Sequence, residues 1–311
     1  MLLAFSPLPM PEVLSRHLDA YARRLSQPKG VEFDFSSPPG EPALLPPDSV
    51  SWQVFKNPVT LFIGGISAVI LELAEPQVRD GVWQHTSFRT DAVPRLQRTA
   101  LAAMATVYGA ESRVSRMIDG INRRHAAVSG VTREGHPYRA DDPLLLDWVH
   151  ATACYGFMEA FSTYARPLTE VERNHMLAEG EAAAHLYGAG GVPTSLSDMN
   201  VLFEVMRHRL VKSDVVFEFL DIMRTVPLLP APLRFMQGLF VKAAIEILPP
   251  WVRDRLDLWT HWSLSPTQRR LVDLAAYGTD RLMLPSSAPV QACKRLGLPA
   301  NYLYRKPPAA V

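Results

Sequence analysis

Apolar residues recur at a spacing of three and four along almost the whole stretch from about residue 50 to residue 285. This period is typical of helices that bury one face. It predicts helices at about residues 92–108, 110–129, 142–164, 167–186, 196–210, 214–224, 231–247 and 265–284. Strand-like alternation is scarce, and residues 51–55 and 131–138 are the only candidates for strands.

Residues 59–74 form the most apolar segment of the chain. Pro58 opens it and Pro76 closes it, as expected for the two ends of a helix. A membrane-spanning helix needs roughly 20 apolar residues. This segment has only 16 residues and contains Glu72. The pattern therefore favours a buried central helix over a membrane span.

Prolines are concentrated near the amino terminus. The chain has 27 prolines, and nine of them lie in residues 1–50. Such density forbids long regular structure, so we predict one helix at about 12–25 followed by an extended arm. We predict a similar extension at residues 286–311. The predicted fold class is all-α, with one multi-helical domain at 50–285 between arms at 1–49 and 286–311.

Composition and known motifs exclude several classes of function. The net charge is +1 without basic blocks, which argues against a nucleic-acid partner. The sequence lacks GxxxxGK[ST], GxGxxG, HExxH, CxxC and GxSxG. Two distant cysteines, Cys154 and Cys293, form no disulfide framework and indicate a reducing compartment. The first residues lack the features of a signal peptide, so a cytoplasmic location is expected.

Two histidines lie on the apolar faces of predicted helices. His125 falls on the stripe formed by Val114, Ile118, Ile121 and Val128, and His150 lies on the inward face of the helix at 142–164. A histidine in such a position is either a core residue that bonds a carbonyl group or a ligand of a metal centre. Neither histidine has the spacing of a zinc site, and spacing alone leaves both alternatives open.

Arg95 and Thr99 are four residues apart, so they share one face of the helix at 92–108. Arg98 points to a different side of the same helix. By spacing alone, the pair is compatible with an ordinary surface arginine beside a threonine.

These residues belong to an ordered series of motifs that resembles the MpaB and latex-clearing-protein oxygenase family. The similarity begins with a segment like the family's first core helix and covers about residues 50–285. The motifs are WQVFKNPVTLFIGGISAVILELAEP (52–76), PRLQRT (94–99), TVYGAESRV (106–114), INRRHAAVSG (121–130), YRADDPLLLDWVHAT (138–152), ARPLTEVER (165–173), PAPLRF (230–235) and LPPWVRDRLDL (248–258).

The resemblance implies haem b bound in an all-helical core likened to a globin. His125, in the pattern H-x-x-V-x-G, corresponds to the proximal iron ligand of that family. Arg95 and Thr99 match the arginine and threonine of the haem pocket, while His85 and His150 match histidines that are common in the family.

Three departures from the rubber-cleaving relatives argue against polyisoprene as the substrate. Arg98 replaces a lysine that can ligate iron, and a guanidinium has no lone pair to donate. Glu75 stands where many relatives have histidine. The rubber-cleaving proteins are exported, whereas this sequence shows no export signal.

The leading hypothesis is an intracellular haem b-dependent oxygenase or oxidase that acts on O2 and a small apolar organic substrate. Arg95 and Thr99 would orient a haem propionate, oxygen or substrate, and Glu75 could accept a proton. We expect the face of Arg95 and Thr99 to open onto the same cavity as His125, with a propionate or Glu75 as the partner of the guanidinium. The alternatives are a haem- or lipid-binding protein without turnover and a structural protein. The oligomeric state stays open.

Overall fold

The computed structural model describes residues 7–26, 28, 30–86, 88–229, 231–259 and 261–305. The regular secondary structure of these residues is α-helical apart from one two-stranded hairpin, so the predicted all-α class is confirmed. Its helices are α1 Glu12–Ser26, α2 Val50–Val54, α3 Pro58–Ala74, α4 Pro76–His85, α5 Ala92–Tyr108, α6 Glu111–Ala126, α7 Pro143–Tyr164, α8 Glu170–Leu186, α9 Leu196–Met206, α10 Asp214–Thr225, α11 Arg234–Glu246, α12 Pro250–Leu256, α13 Pro266–Asp280 and α14 Ala288–Arg295.

The apolar segment predicted to be central is α3, and it is among the most buried parts of the protein. Asn57 starts the helix because its side-chain oxygen accepts hydrogen bonds from the N–H groups of Val59 and Thr60, each at 3.1 Å. The helix packs along α7 and also against α11, α13 and α10. No single helix of the described residues is long and apolar enough to cross a membrane. The consecutive helices α3 and α4 reach the required length and hydropathy only when they are taken together, and the angle between them is 108°.

Pro76 ends α3 as predicted, but it also begins α4, which the sequence pattern did not reveal. Glu75 separates the two helices in an extended conformation, and its carboxylate accepts a 2.8 Å hydrogen bond from the N–H of Val78. Glu75 therefore caps α4. A second helix that the pattern missed is α12.

The strand candidate at residues 51–55 is wrong, because residues 51–54 belong to α2 and Phe55 caps its end. The first two N–H groups of α2 are satisfied from elsewhere in the chain: the carboxylate of Glu179 in α8 accepts from Val50 at 2.8 Å and from Ser51 at 2.9 Å. The strand signal at 131–138 becomes an antiparallel hairpin of β1 (Ser129–Val131) and β2 (Pro137–Arg139). The hairpin also shortens α6, which ends at Ala126 instead of residue 129.

The carboxyl-terminal segment is not the extended arm that was predicted. It forms α14, in which Val290 and Cys293 are buried in the core. Arg295 holds the amino-terminal segment against this helix by donating to the carbonyl oxygens of Glu41 at 2.8 Å and Phe35 at 2.7 Å. Both segments are thus part of the folded body over their described residues, and the predictions for residues 1–6 and 306–311 lie outside them.

Candidate functional site

The short link between α5 and α6 brings Arg95 and His125 together. Only Gly109 and Ala110 separate the two helices. Position 95 lies 14 residues before this link and position 125 lies 15 residues after it. The two side chains are close enough for the positive charge of Arg95 to act on the imidazole of His125.

His125 is partly buried, and its Nδ1 atom is shielded from water without a hydrogen-bond partner among the described residues. Burial lowers the pKa of His125, and the nearby charges of Arg95 and Arg124 lower it further, while Asp141 acts in the opposite direction. The ring is therefore neutral at neutral pH and keeps a lone pair. A core histidine held by a carbonyl group would have a partner for this nitrogen.

Arg95 provides a further buried polar atom without a hydrogen-bond partner, beside the Nδ1 of His125. Its Nε is buried and makes no hydrogen bond to the described residues, whereas its Nη1 donates to the hydroxyl of Thr99 at 2.6 Å. Thr99 in turn donates to the carbonyl oxygen of Arg95 at 3.1 Å and is exposed to solvent. Arg95 and Thr99 thus interact as expected from their spacing, with Arg95 directed inward and Thr99 at the surface.

Glu75 is not the partner of Arg95. Its buried carboxylate forms an ion pair with Arg209, whose Nη2 donates to Oε1 at 2.7 Å, and it also caps α4. The reason is local: α3 ends at Ala74, and the extended backbone at position 75 directs the side chain toward α4. The carboxylate that faces Arg95 belongs instead to Glu72, one turn earlier in α3.

Glu72 is a partly buried residue whose carboxyl group points into the protein, and it forms no ion pair within the described structure. Burial raises its pKa to about 7, although the positive charge of Arg95 and a hydrogen bond from Thr152 partly oppose this rise. The Thr152 hydroxyl donates to Oε1 at the long distance of 3.5 Å. Near neutral pH the carboxyl is therefore close to half protonated. Glu72 is the one charged residue in α3, and this isolated charge in an apolar helix is the sequence signal that marks it.

Replacing Glu72 by glutamine should change the pH dependence of stability in the haem-free protein. Because the pKa in the folded state is about 7 instead of 4.5, the folded protein retains a proton that the unfolded chain loses between these values. Stability from this group is thus present below pH 4.5 and lost as the pH rises toward 7. Above pH 7 the E72Q variant should be more stable than the parent by about 1–3 kcal/mol. Thermal melts across this range test it, and parallel curves for the two proteins would contradict it.

His85 and His150 lie in other surroundings. His85 is exposed, and its Nε2 lies 3.0 Å from the hydroxyl of the buried Tyr138. Tyr138 also explains the glycine of the H-x-x-V-x-G pattern, because a Cβ at Gly130 would come within 2.6 Å of the Tyr138 hydroxyl. His150 lies between α7 and α8, with Nε2 3.3 Å from the Sγ of Cys154, and burial lowers its pKa to about 4. No hydrogen bond in the described structure joins either histidine to Glu72, Arg95 or His125.

The charge of Arg95 thus acts on two side chains from other helices, the carboxyl of Glu72 and the neutral imidazole of His125. No group of three or more His, Cys, Asp or Glu side chains in the described residues is arranged to hold a metal ion. The arrangement offers a single imidazole ligand together with a proton-holding carboxyl and a cation. The fold and this site together define the class of protein: an all-helical protein with a partly buried polar site.

Comparison with known families agrees with this class. The family model described as "ER-bound oxygenase mpaB/B'/Rubber oxygenase, catalytic domain" matches residues 52–280. The chain therefore belongs to the mpaB/rubber oxygenase family, and an oxygenase function is supported. No curated protein and no solved structure matches the chain.

Proposed function

We propose that this protein is a haem b-dependent oxygenase or oxidase that uses O2 to act on a small, mainly apolar organic molecule. The observation that carries the proposal is that two of the eleven buried side-chain atoms without a partner in the described residues, Nδ1 of His125 and Nε of Arg95, belong to residues that interact electrostatically, in a chain of an oxygenase family. Buried polar atoms normally have partners, so a ligand that satisfies both atoms is the simplest account of them.

The residues present fit haem better than a bare metal ion. A porphyrin brings four nitrogen ligands of its own and needs only one or two from the protein. His125 is a single neutral imidazole, as such a cofactor requires. When bound, the haem iron supplies the oxygen chemistry, and the protein supplies the ligand, the orientation and the surrounding charge.

Each of the remaining side chains has a distinct role. Arg95 and Thr99 provide hydrogen-bond donors for a propionate, for oxygen or for a polar atom of the substrate. Glu72 holds a proton at its carboxyl group near neutral pH and can release or accept it there. The charge of Arg95 stabilises the carboxylate that remains after release. In this proposal Glu72 takes the proton-accepting role that the sequence suggested for Glu75.

The two cysteines support a cytoplasmic location, which is part of the proposal. Cys154 and Cys293 are both free thiols, and burial raises the pKa of Cys154 to about 12 and that of Cys293 to about 11. Buried free thiols of this kind are typical of proteins from reducing compartments.

The proposal is tested by the visible spectrum of protein that is produced with haem precursor supplied. We expect a Soret band that co-purifies with the protein in near-stoichiometric amount. Oxygen consumption with a reductant and apolar substrates should then exceed that of free haem. A colourless protein that also fails to bind added haem would refute the proposal, whereas a Soret band without turnover would indicate a haem-binding protein.

A further inference from the structure

A cavity of about 110 Å³ lies beside Lys56, just before the first residue of α3. The other residues that line it come from α2, α7, α13 and the short 3-10 helix at Tyr302–Tyr304. A helix rises roughly 1.5 Å per residue, so Pro58 at the start of α3 and Glu72 near its end are about 20 Å apart. This space, which we call the Lys56 cavity, is therefore separate from the candidate site.

The side chain of Lys56 lines the cavity with only 6% of its surface exposed to solvent. Two N–H groups of its ammonium donate to Asp280, one to the backbone carbonyl oxygen and one to the carboxylate, both at 2.8 Å. The ring of Tyr304 lies 5.1 Å from the ammonium, and the third N–H has no hydrogen-bond acceptor among the described residues. A buried ammonium with an unused donor favours binding of an acceptor from outside the protein.

Positive charge exceeds negative charge among the described residues that line the Lys56 cavity. Arg166 and Arg281 line it together with Lys56, whereas Asp280 is the one carboxylate among them. Arg166 also pairs at 2.8 Å with Glu172, which does not line the cavity. Burial lowers the pKa of Lys56; Asp280 opposes this effect, and the charge of Arg166 adds to it. The carboxylate of Asp280 thus compensates the buried ammonium incompletely, and a further anion would be attracted.

Two uncharged polar side chains also line the cavity. The amide of Gln53 and the hydroxyl of Tyr277 make no hydrogen bond with the described residues, so both are available as donors. Tyr277 is exposed, which makes the cavity reachable from solvent, whereas Phe161 and Leu303 are buried and provide an apolar part of its surface. A space of this size holds several water molecules, and hence an ion of the size of phosphate.

We propose that the Lys56 cavity binds a small oxyanion, a phosphate or a carboxylate, as a ligand distinct from haem and substrate. Lys56 is the central ligand, and Gln53, Arg166 and Tyr277 supply further hydrogen bonds to its oxygen atoms. Because Lys56 and Asp280 join the start of α3 to the end of α13, the bound anion stabilises this junction of the fold. The proposal does not depend on the presence of haem.

The experiment compares sodium phosphate, sodium acetate and sodium chloride at equal ionic strength on the full-length protein as purified. Phosphate or acetate should bind at one site per chain in a calorimetric titration and should raise the melting temperature in a saturable way. Chloride should do neither, because it lacks oxygen acceptors for several donors at once. The anion that binds more tightly identifies the chemical group. Absence of saturable binding for both oxyanions would overturn the proposal.

The variant Lys56→Gln tests the central ligand, because it removes the charge and keeps an amide that can donate to Asp280. Binding of the preferred anion should weaken at least about tenfold. Lys212→Gln is the matched control: Lys212 also donates to an aspartate, Asp257, at 2.8 Å and lies 5.6 Å from the ring of Phe217, but its side chain is 51% exposed. It should leave the dissociation constant unchanged.

A second variant, Gln53→Leu, keeps the test decisive if Lys56→Gln does not fold. Gln53 makes no hydrogen bond with the described residues, so its replacement breaks none of those that hold the fold. Its loss should weaken anion binding about fivefold at an unchanged melting temperature of the anion-free protein. Binding of the same strength in the parent and in every folded variant would place the anion elsewhere on the protein and refute the proposal.

Discussion

Replacing His125 by alanine is expected to abolish haem retention and oxygenase activity while the helical fold persists. The variant loses the one imidazole that the site offers to iron. Removal of the ring leaves a small cavity in a partly buried place, which costs about 1–3 kcal/mol of folding stability. No hydrogen bond of Nδ1 is lost, because this atom has no partner in the described structure. Soret absorbance and circular dichroism of the purified variant measure the two effects separately.

His85→Ala is the matched control for this experiment. His85 is an exposed histidine whose ring bonds the hydroxyl of Tyr138, so its removal should leave the Soret band in place. If His125→Ala kept its haem and lost only thermal stability, His125 would be a structural residue. The haem proposal would then need a different ligand.

Gly64→Ala, which adds one methyl group to α3, is expected to destabilise the fold by about 3 kcal/mol or to prevent folding. Gly64 in α3 lies against Gly156 in α7, where the two helix backbones come closest. A Cβ at Gly64 would lie 2.6 Å from the carbonyl oxygen of Gly156 and 2.8 Å from the Cα of Phe157. Both atoms belong to the backbone, so the contact can be relieved only by moving one long helix away from the other.

The neighbouring glycine gives the control. A Cβ at Gly65 would meet only the ring of Phe157, at 3.9 Å. Gly65→Ala should therefore gain up to about 1 kcal/mol from the higher helix propensity of alanine. Chemical denaturation of the two variants measures the difference in the free energy of unfolding. Similar values for both would show that α3 and α7 do not approach as closely as described.

Helix positions could be predicted wherever their start signals are local. Asp142 caps α7 and Thr169 caps α8 with their own side chains, and both helices lie close to the predicted ranges 142–164 and 167–186. The prediction failed where the partner is distant in sequence. Residues 51–55 alternate like a strand, and nothing nearby in the sequence shows that Glu179 satisfies the first two N–H groups of α2, those of Val50 and Ser51. The globin-like arrangement of the core stays a prediction.

The candidate site could also be predicted only in part, because some of its contacts involve residues that are distant in sequence. His125 and Arg95 stand out by periodicity and by resemblance, and a two-residue link between their helices brings them together. The choice between Glu72 and Glu75 depends on how α3 ends and where Arg209 lies, which are tertiary facts. Periodicity likewise placed His150 on an inward face, but that face packs on α8, where a Cβ at Gly180 would touch its ring.

The central position of α3 also determines the order in which the protein can fold. Its first turn is fixed by the distant α13: the side-chain amide of Asn57 donates to the carbonyl oxygen of Ala276 at 2.9 Å, across 219 residues. Lys56 likewise donates to the carboxylate of Asp280, across 224 residues. Contacts over such separations form slowly and only after the later residues have been synthesised. A growing chain can cover α3 with α7 and α11 earlier, but the side of α3 that packs on α13 stays uncovered until translation has passed α13, and aggregation or chaperone binding is favoured during this interval.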